Sequence, residues 1–236
     1  FAPGGATDHA TLGGGVGSSG GTPIYAFDSV LADGTNGNND PVTDLVISSG
    51  AVFLKNPTYS GKTTLEEEAF LQLGAYSGGN NYNNIPADTS VNGEIILKNE
   101  ALLSYAAATA TDYAIGAISS ASAGDTDAIV LITGAMTGVS YRYNQDNSGF
   151  IGTTLLRRTL NASTGKVGGV FTIEANGIYN GEQGTTFTTN SLSFQSYSPG
   201  GTINAHFTSN TGGAALLQTG ALDTTYGVLN VNLDAT

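Results

Sequence analysis

From Thr22 onward, short apolar runs alternate with clusters of Gly, Asn, Asp, Ser and Pro. "TPIYAFDSV", "VTDLVISSGAVFL", "VNGEIILKN", "LLSYAAA", "YAIGAIS", "DAIVLITG" and "VSYRYN" each have strand length and are bounded by turn residues. The alternation is sharpest in "TTFTTNSLSFQSY", where Phe187, Leu192, Phe194 and Tyr197 sit among Thr, Ser, Asn and Gln. Such a pattern predicts half-buried antiparallel strands, as in a sandwich, a jelly roll or a small barrel. One segment departs from it. "TTLEEEAFLQLGAY" predicts a short helix over 63–73, with Thr63 or Thr64 as cap, Glu66 to Glu68 in the first turn and Gly74 as stop.

"DYAIGAISSASAGDTDAIVLITGAM", residues 112–136, reads as a hairpin. Ile115, Ile118, Ile129, Leu131 and, further on, Tyr143 are its expected core, and Gly116 and Gly124 set its turns. "NQDNSGFIG" at 144–152 marks a boundary. The expected organisation is an arm over 1–21, a β-rich domain over 22–144 and an antiparallel β domain over 145–236. No internal repeat emerges.

Composition narrows the function. Only 11% of residues are charged, and 19 carboxylates face 7 basic residues, for a formal net charge of -12. Nucleic-acid binding needs a basic stripe, and here only Arg157 and Arg158 are adjacent. No apolar run reaches the roughly 18 residues of a membrane-spanning helix. Cysteine is absent, which removes disulfides and thiolate metal sites. The single methionine is Met136, so Phe1 is not expected to be a translational start: the expectation is cleavage of a leader or pro-segment, or trimming of the chain. Residues 1–21, "FAPGGATDHATLGGGVGSSGG", are Gly-rich and read as a flexible arm.

Motifs that could carry chemistry have plainer explanations. Gly15 to Gly20 satisfies G-x-G-x-x-G but lacks the preceding strand and following helix of a nucleotide loop. Asp33, Asn36, Asn38 and Asp40 could offer oxygens to calcium, yet Gly37 and Pro41 break the known loop pattern. His9 and His206 are too few for a zinc site, and no serine sits in a nucleophile elbow. Asn161-Ala162-Ser163 is a glycosylation sequon. "YRY" at 141–143 could stack bases but reads better as core and rim of a strand. No catalytic residue, metal or cofactor is expected.

"YAIGAISSASAGDTDAIVLITGAMTGVSYRYN", residues 113–144, resembles the core of the head-decoration (cement) proteins of tailed bacteriophages, with an apolar Gly-containing strand, a small turn and a second apolar strand before an "RY" pair. "VNGEIILKNEALLSYAAATATD" is similar to the strands preceding that core, and "APGGATDHAT" to the family's N-terminal extension. The resemblance covers residues 91–144, plus the arm by character. It implies a small β-barrel or β-tulip-like module that trimerises on the outer capsid surface and bridges major capsid protein subunits. Phe1, Pro3, His9, Leu12 and Val16 would then lie in the capsid-engaging arm. The expected function is that of a non-enzymatic virion protein; the competing expectation is a secreted β-rich subunit of a filament, pilus or surface layer.

Overall fold

The computed structural model describes residues 9–12, 24–27, 44–54, 59, 61–74, 93–107, 112–134, 138–195, 200–208, 216–223 and 225–233. The strands of the N-terminal half are β1 (His9–Leu12), β2 (Ile24–Phe27), β3 (Asp44–Ile47), β4 (Ala51–Leu54), β5 (Thr63–Leu65), β6 (Phe70–Gly74), β7 (Ile95–Leu97) and β8 (Leu102–Ala107). The middle holds β9 (Asp112–Ile115), β10 (Ile118–Ser120), β11 (Ile129–Gly134), β12 (Ser140–Tyr143), β13 (Asp146–Asn147), β14 (Thr153–Leu156) and β15 (Thr159–Leu160). The last are β16 (Lys166–Ile173), β17 (Ile178–Glu182), β18 (Phe187–Phe194), β19 (Thr202–Phe207), β20 (Leu217–Leu222) and β21 (Val228–Leu233).

These strands build three sheets. Sheet 1 runs β1-β3-β5-β7-β10; sheet 2 runs β2-β4-β6-β8-β11-β14-β16-β18-β20, with β13 also on β16; sheet 3 runs β9-β12-β15-β17-β19-β21. Every strand pair among the described residues is parallel. Apart from β13 and β14, which both pair with β16, sequence neighbours lie in different sheets, and each strand pairs with one from the next circuit. The chain therefore winds as a β-solenoid: β7, β8 and β9 make one coil, and β10, β11 and β12 make the next. Sheet 1 ends at β10, and the later coils use sheets 2 and 3 alone, as β14–β15, β16–β17, β18–β19 and β20–β21.

The core is a set of stacked columns. Leu54, Leu73, Tyr105, Ile132, Leu156, Ile173 and Phe194 follow one another in register up sheet 2, all buried. Full burial of each such side chain contributes about 1.5–3 kcal/mol, so the column is a principal source of stability. Aromatics fill the space between sheets: the Phe187 ring lies 5.1 Å from Phe171, 5.7 Å from Tyr143 and 5.8 Å from Tyr179.

Mainly-β character is as expected; several finer expectations are corrected. The sheets are parallel rather than antiparallel, and they do not close into a barrel. The alternation in 187–194 is real, but its neighbours are the preceding and following coils rather than hairpin partners. No helix forms over 63–73. Thr63 and Leu65 are buried in β5, residues 66–69 turn a corner, and Phe70 begins β6. The reason is stacking. Leu65 lies in register with Leu97 and Phe70 with Leu102, so Glu66–Ala69 and Lys98–Ala101 are the same corner in successive coils. Glu68 and Glu100 occupy equivalent places there, with φ of 60° and 59°. Glu66 and Lys98 form an ion pair across the two corners.

The expected hairpin over 112–136 is likewise replaced. β9, β10 and β11 fall in sheets 3, 1 and 2, as consecutive sides of the coil. Across residue 144, the ladders β11–β14 and β12–β15 run without a break.

Candidate interaction surfaces

The corners entering sheet 3 show how closely the coils approach. A Cβ on Gly177 would lie 2.2 Å from the Leu156 carbonyl oxygen, one on Gly201 2.2 Å from Ile173 Cγ2, and one on Gly227 2.6 Å from a Phe194 ring carbon. Each glycine sits directly before a strand of sheet 3, over a core residue of sheet 2. Glycine is required there by space.

Beyond these glycines an asparagine ladder climbs the outer face of sheet 3. Asn230 Nδ2 donates to Asn204 Oδ1 at 2.9 Å, Asn204 Nδ2 to Asn180 Oδ1 at 2.8 Å, and Asn180 Nδ2 to Asn161 Oδ1 at 3.1 Å. Asn161 Nδ2 then donates to Asp112 Oδ1 at 3.2 Å. Asn180–Asn204 and Asn204–Asn230 are register partners, so the parallel stack itself brings these amides together. A groove of about 410 Å³ follows the ladder, with Glu182 and His206 on its wall.

The three outer faces differ in charge. Sheet 3 carries the ladder, Glu182 and the Asp112–Arg142 pair. Sheet 1 and its corners carry Lys62–Glu94 at 3.1 Å and Glu66–Lys98. Ser119, with Lys62, holds the Glu94 carboxyl below the usual range. The outer face of sheet 2 has a different character. Phe70, Leu102, Ile129, Thr153, Val170 and Ser191 form one register column, and Gln72, Ser104, Leu131, Leu155, Thr172 and Ser193 the other. Neither column contains a charge.

Polar groups inside the fold act as fasteners. Buried Asn147 accepts from Ile118 N at 2.9 Å through Oδ1 and donates through Nδ2 to the Gly116 carbonyl at 3.0 Å, closing the corner between β9 and β10. Asp125 accepts from Ser122 N at 2.5 Å and Asn99 N at 2.9 Å, tying one coil's corner to the next. Tyr141 donates to the Thr133 carbonyl at 2.5 Å and accepts from Ala107 N at 2.9 Å. Burial pushes the hydroxyls of Tyr105, Tyr141 and Tyr143 well above the usual tyrosine value.

Of the residues singled out from sequence, Ile115, Ile118 and Tyr143 are buried in the core. Ile129 and Leu131 are half-buried on the outer side of sheet 2 rather than inside. Gly116 is buried at the Asn147 corner, and Gly124 is an exposed turn residue. His9 and Leu12 lie in β1, in register with Asp44 and Ile47. Phe1, Pro3 and Val16, the Gly15–Gly20 motif and the 33–40 loop lie outside the described residues. The sequon residue Asn161 is committed to the ladder, and Ser163 is buried, donating to the Asn161 carbonyl at 2.7 Å. Within "YRY", both tyrosines are buried and Arg142 pairs with Asp112, so no ring is free to stack. Among the described residues no group of three or more His, Cys, Asp or Glu could hold a metal.

The ladder escaped the sequence reading although a signal existed. Gly177-Ile178-Tyr179-Asn180, Gly201-Thr202-Ile203-Asn204 and Gly227-Val228-Leu229-Asn230 repeat Gly, any residue, a large apolar residue and Asn. Variable corner lengths between them hide the period. A second cavity, of about 400 Å³ and almost wholly apolar, continues the core between sheets 2 and 3 beside β20 and β21, where Leu229 and Val231 are exposed. No family model matches the chain, and neither a curated protein nor a solved structure matches it.

Proposed function

We propose that the chain is a non-enzymatic structural protein: a β-solenoid segment that builds a rigid, extended part of a surface-exposed assembly. The observation that supports this most is the continuous parallel ladder of sheet 2, from β2 to β20. Solenoids are quasi-one-dimensional, each coil contacting its neighbours, which suits a spacer or stalk. The interior supports the same reading, being filled by aliphatic and aromatic columns and buried backbone fasteners. Low charge with abundant Gly, Ser, Thr and Asn fits a surface that neighbouring copies cover.

An extracellular filament or surface layer is the setting we favour. The capsid-decoration setting, with a major capsid protein partner and a trimer of this chain, leaned on a hairpin over 112–136, where the structure has three sides of a coil. Immunogold electron microscopy of native cells and released particles separates the settings. Label along cell-surface projections or layers supports the filament reading, and label on particle heads moves the protein to the virion. Label confined to the cell interior overturns the structural reading. For the virion setting, purified protein mixed with expanded empty heads should be taken up stoichiometrically, and deletion of residues 1–21 should abolish uptake.

A further inference from the structure

The outer face of sheet 2 lacks the features that keep a sheet face solvated. From β4 to β18 its columns present Phe53, Phe70, Leu102, Leu131, Leu155 and Val170, interspersed with Thr, Ser and Gln. Val170 is 37% exposed, the other five are half-buried, and Ser104 among them is buried. The charges lie at the rim: Arg157 and Glu174 pair beyond the ends of β14 and β16, Glu100 turns the opposite corner, and Lys166 at the start of β16 pairs with Asp146 of β13. An apolar centre with a polar rim is the anatomy of an interface.

We propose that this face is where two copies of the chain pack on each other, sheet against sheet, about a two-fold axis. The area suffices. Seven strands spaced ~4.8 Å apart, with about five residues each at ~3.3 Å, give a patch of about 35 Å by 17 Å. Two such faces bury about 1,200 Å² in total, the lower limit of a standard stable interface. Charge selects the occupant. Each copy has a formal charge of -12, so copies repel one another overall, and a face whose centre carries no charge lets them meet with little ion desolvation. A flat face is also self-complementary under a two-fold axis, as an isologous dimer requires. Facing sheets then interdigitate at the usual separation of about 10 Å. The inference rests on the face itself and not on the cellular setting, so immunolocalisation can fail while it stands.

Sedimentation equilibrium of the whole 236-residue chain tests it. A dimer is expected at tens of micromolar, and Val170→Lys and Leu155→Lys should each weaken association at least tenfold. Both positions face outward, so far-UV circular dichroism and melting temperature serve as controls for folding. Glu182→Lys, on the outer face of sheet 3, should leave the dimer intact. A chain that stays monomeric at that concentration overturns the proposal, as does an oligomer that survives both lysine substitutions. A trimer overturns the two-fold assignment.

Discussion

Thr154 sits wholly inside a second core column of sheet 2, between Val130 and Phe171, and its hydroxyl has no partner among the described residues. Replacing a buried, unpaired hydroxyl with a methyl of equal size removes a desolvation cost. Thr154→Val is therefore expected to raise stability by about 1 kcal/mol in urea unfolding. Gly201 is the opposite case. A methyl there would meet Ile173 Cγ2 at 2.2 Å and the Ile173 carbonyl oxygen at 2.6 Å, whereas at Gly124 it meets only Ser122 Oγ at 3.7 Å. Gly201→Ala should cost about 1–3 kcal/mol through overpacking, while Gly124→Ala should be close to neutral in the same assay. At the exposed Asp146, Lys166 Nζ at 2.9 Å and the Ser148 amide at 3.1 Å hold the carboxyl down to about 2. The depressed value fixes the sign. The pair's contribution is complete above the ordinary Asp value of about 3.9 and fades as pH falls toward about 2. A carbon-detected NMR titration should show the Asp146 carboxyl titrating well below ordinary aspartates, and Lys166→Met should move it back up.

Stacked elements convert single residues into columns, and the asparagine ladder shows what that adds. Asn204 both donates to Asn180 and accepts from Asn230, whereas exposed Asn230 makes only the last bond of the series. At about 1 kcal/mol per hydrogen bond, Asn204→Ala should cost about twice as much as Asn230→Ala. Denaturant midpoints of the two variants check the order. Strand positions were largely readable from sequence, because inward and outward residues alternate: Leu192 and Phe194 behave as their pattern predicts. Pairing was not readable. Parallel neighbours in register, such as Thr153 and Val170 or Ile178 and Thr202, lie about 20 residues apart at uneven spacing, and no local turn chemistry announces them. The false helix over 63–73 came from the same gap. Its acidic triplet has the composition of a helix start, but Leu65 and Phe70 are already claimed by the coil above. The Gly-x-apolar-Asn repeat carried most of the candidate surface, and its irregular period concealed it.

For the whole molecule, a stack of coils implies that protection against unfolding depends on position along the axis. Coils at either end have a neighbour on one side only, so local opening costs least there. Native-state hydrogen exchange should find the amides of β11, β14 and β16 slowest, with rates rising toward β3 and toward β21. Uniform exchange across all coils would instead indicate a single cooperative unit. The ladder adds a sense of direction to this axis. Each side-chain amide donates toward the earlier coil and leaves its oxygen toward the later one, and the series terminates on the carboxylate of Asp112. During synthesis from the N-terminus, an anion and then a succession of carbonyl oxygens are in place before the next asparagine emerges. Each new coil thus arrives at a template that already displays its docking atom, and the rod can be laid down one turn at a time in the order in which it is translated.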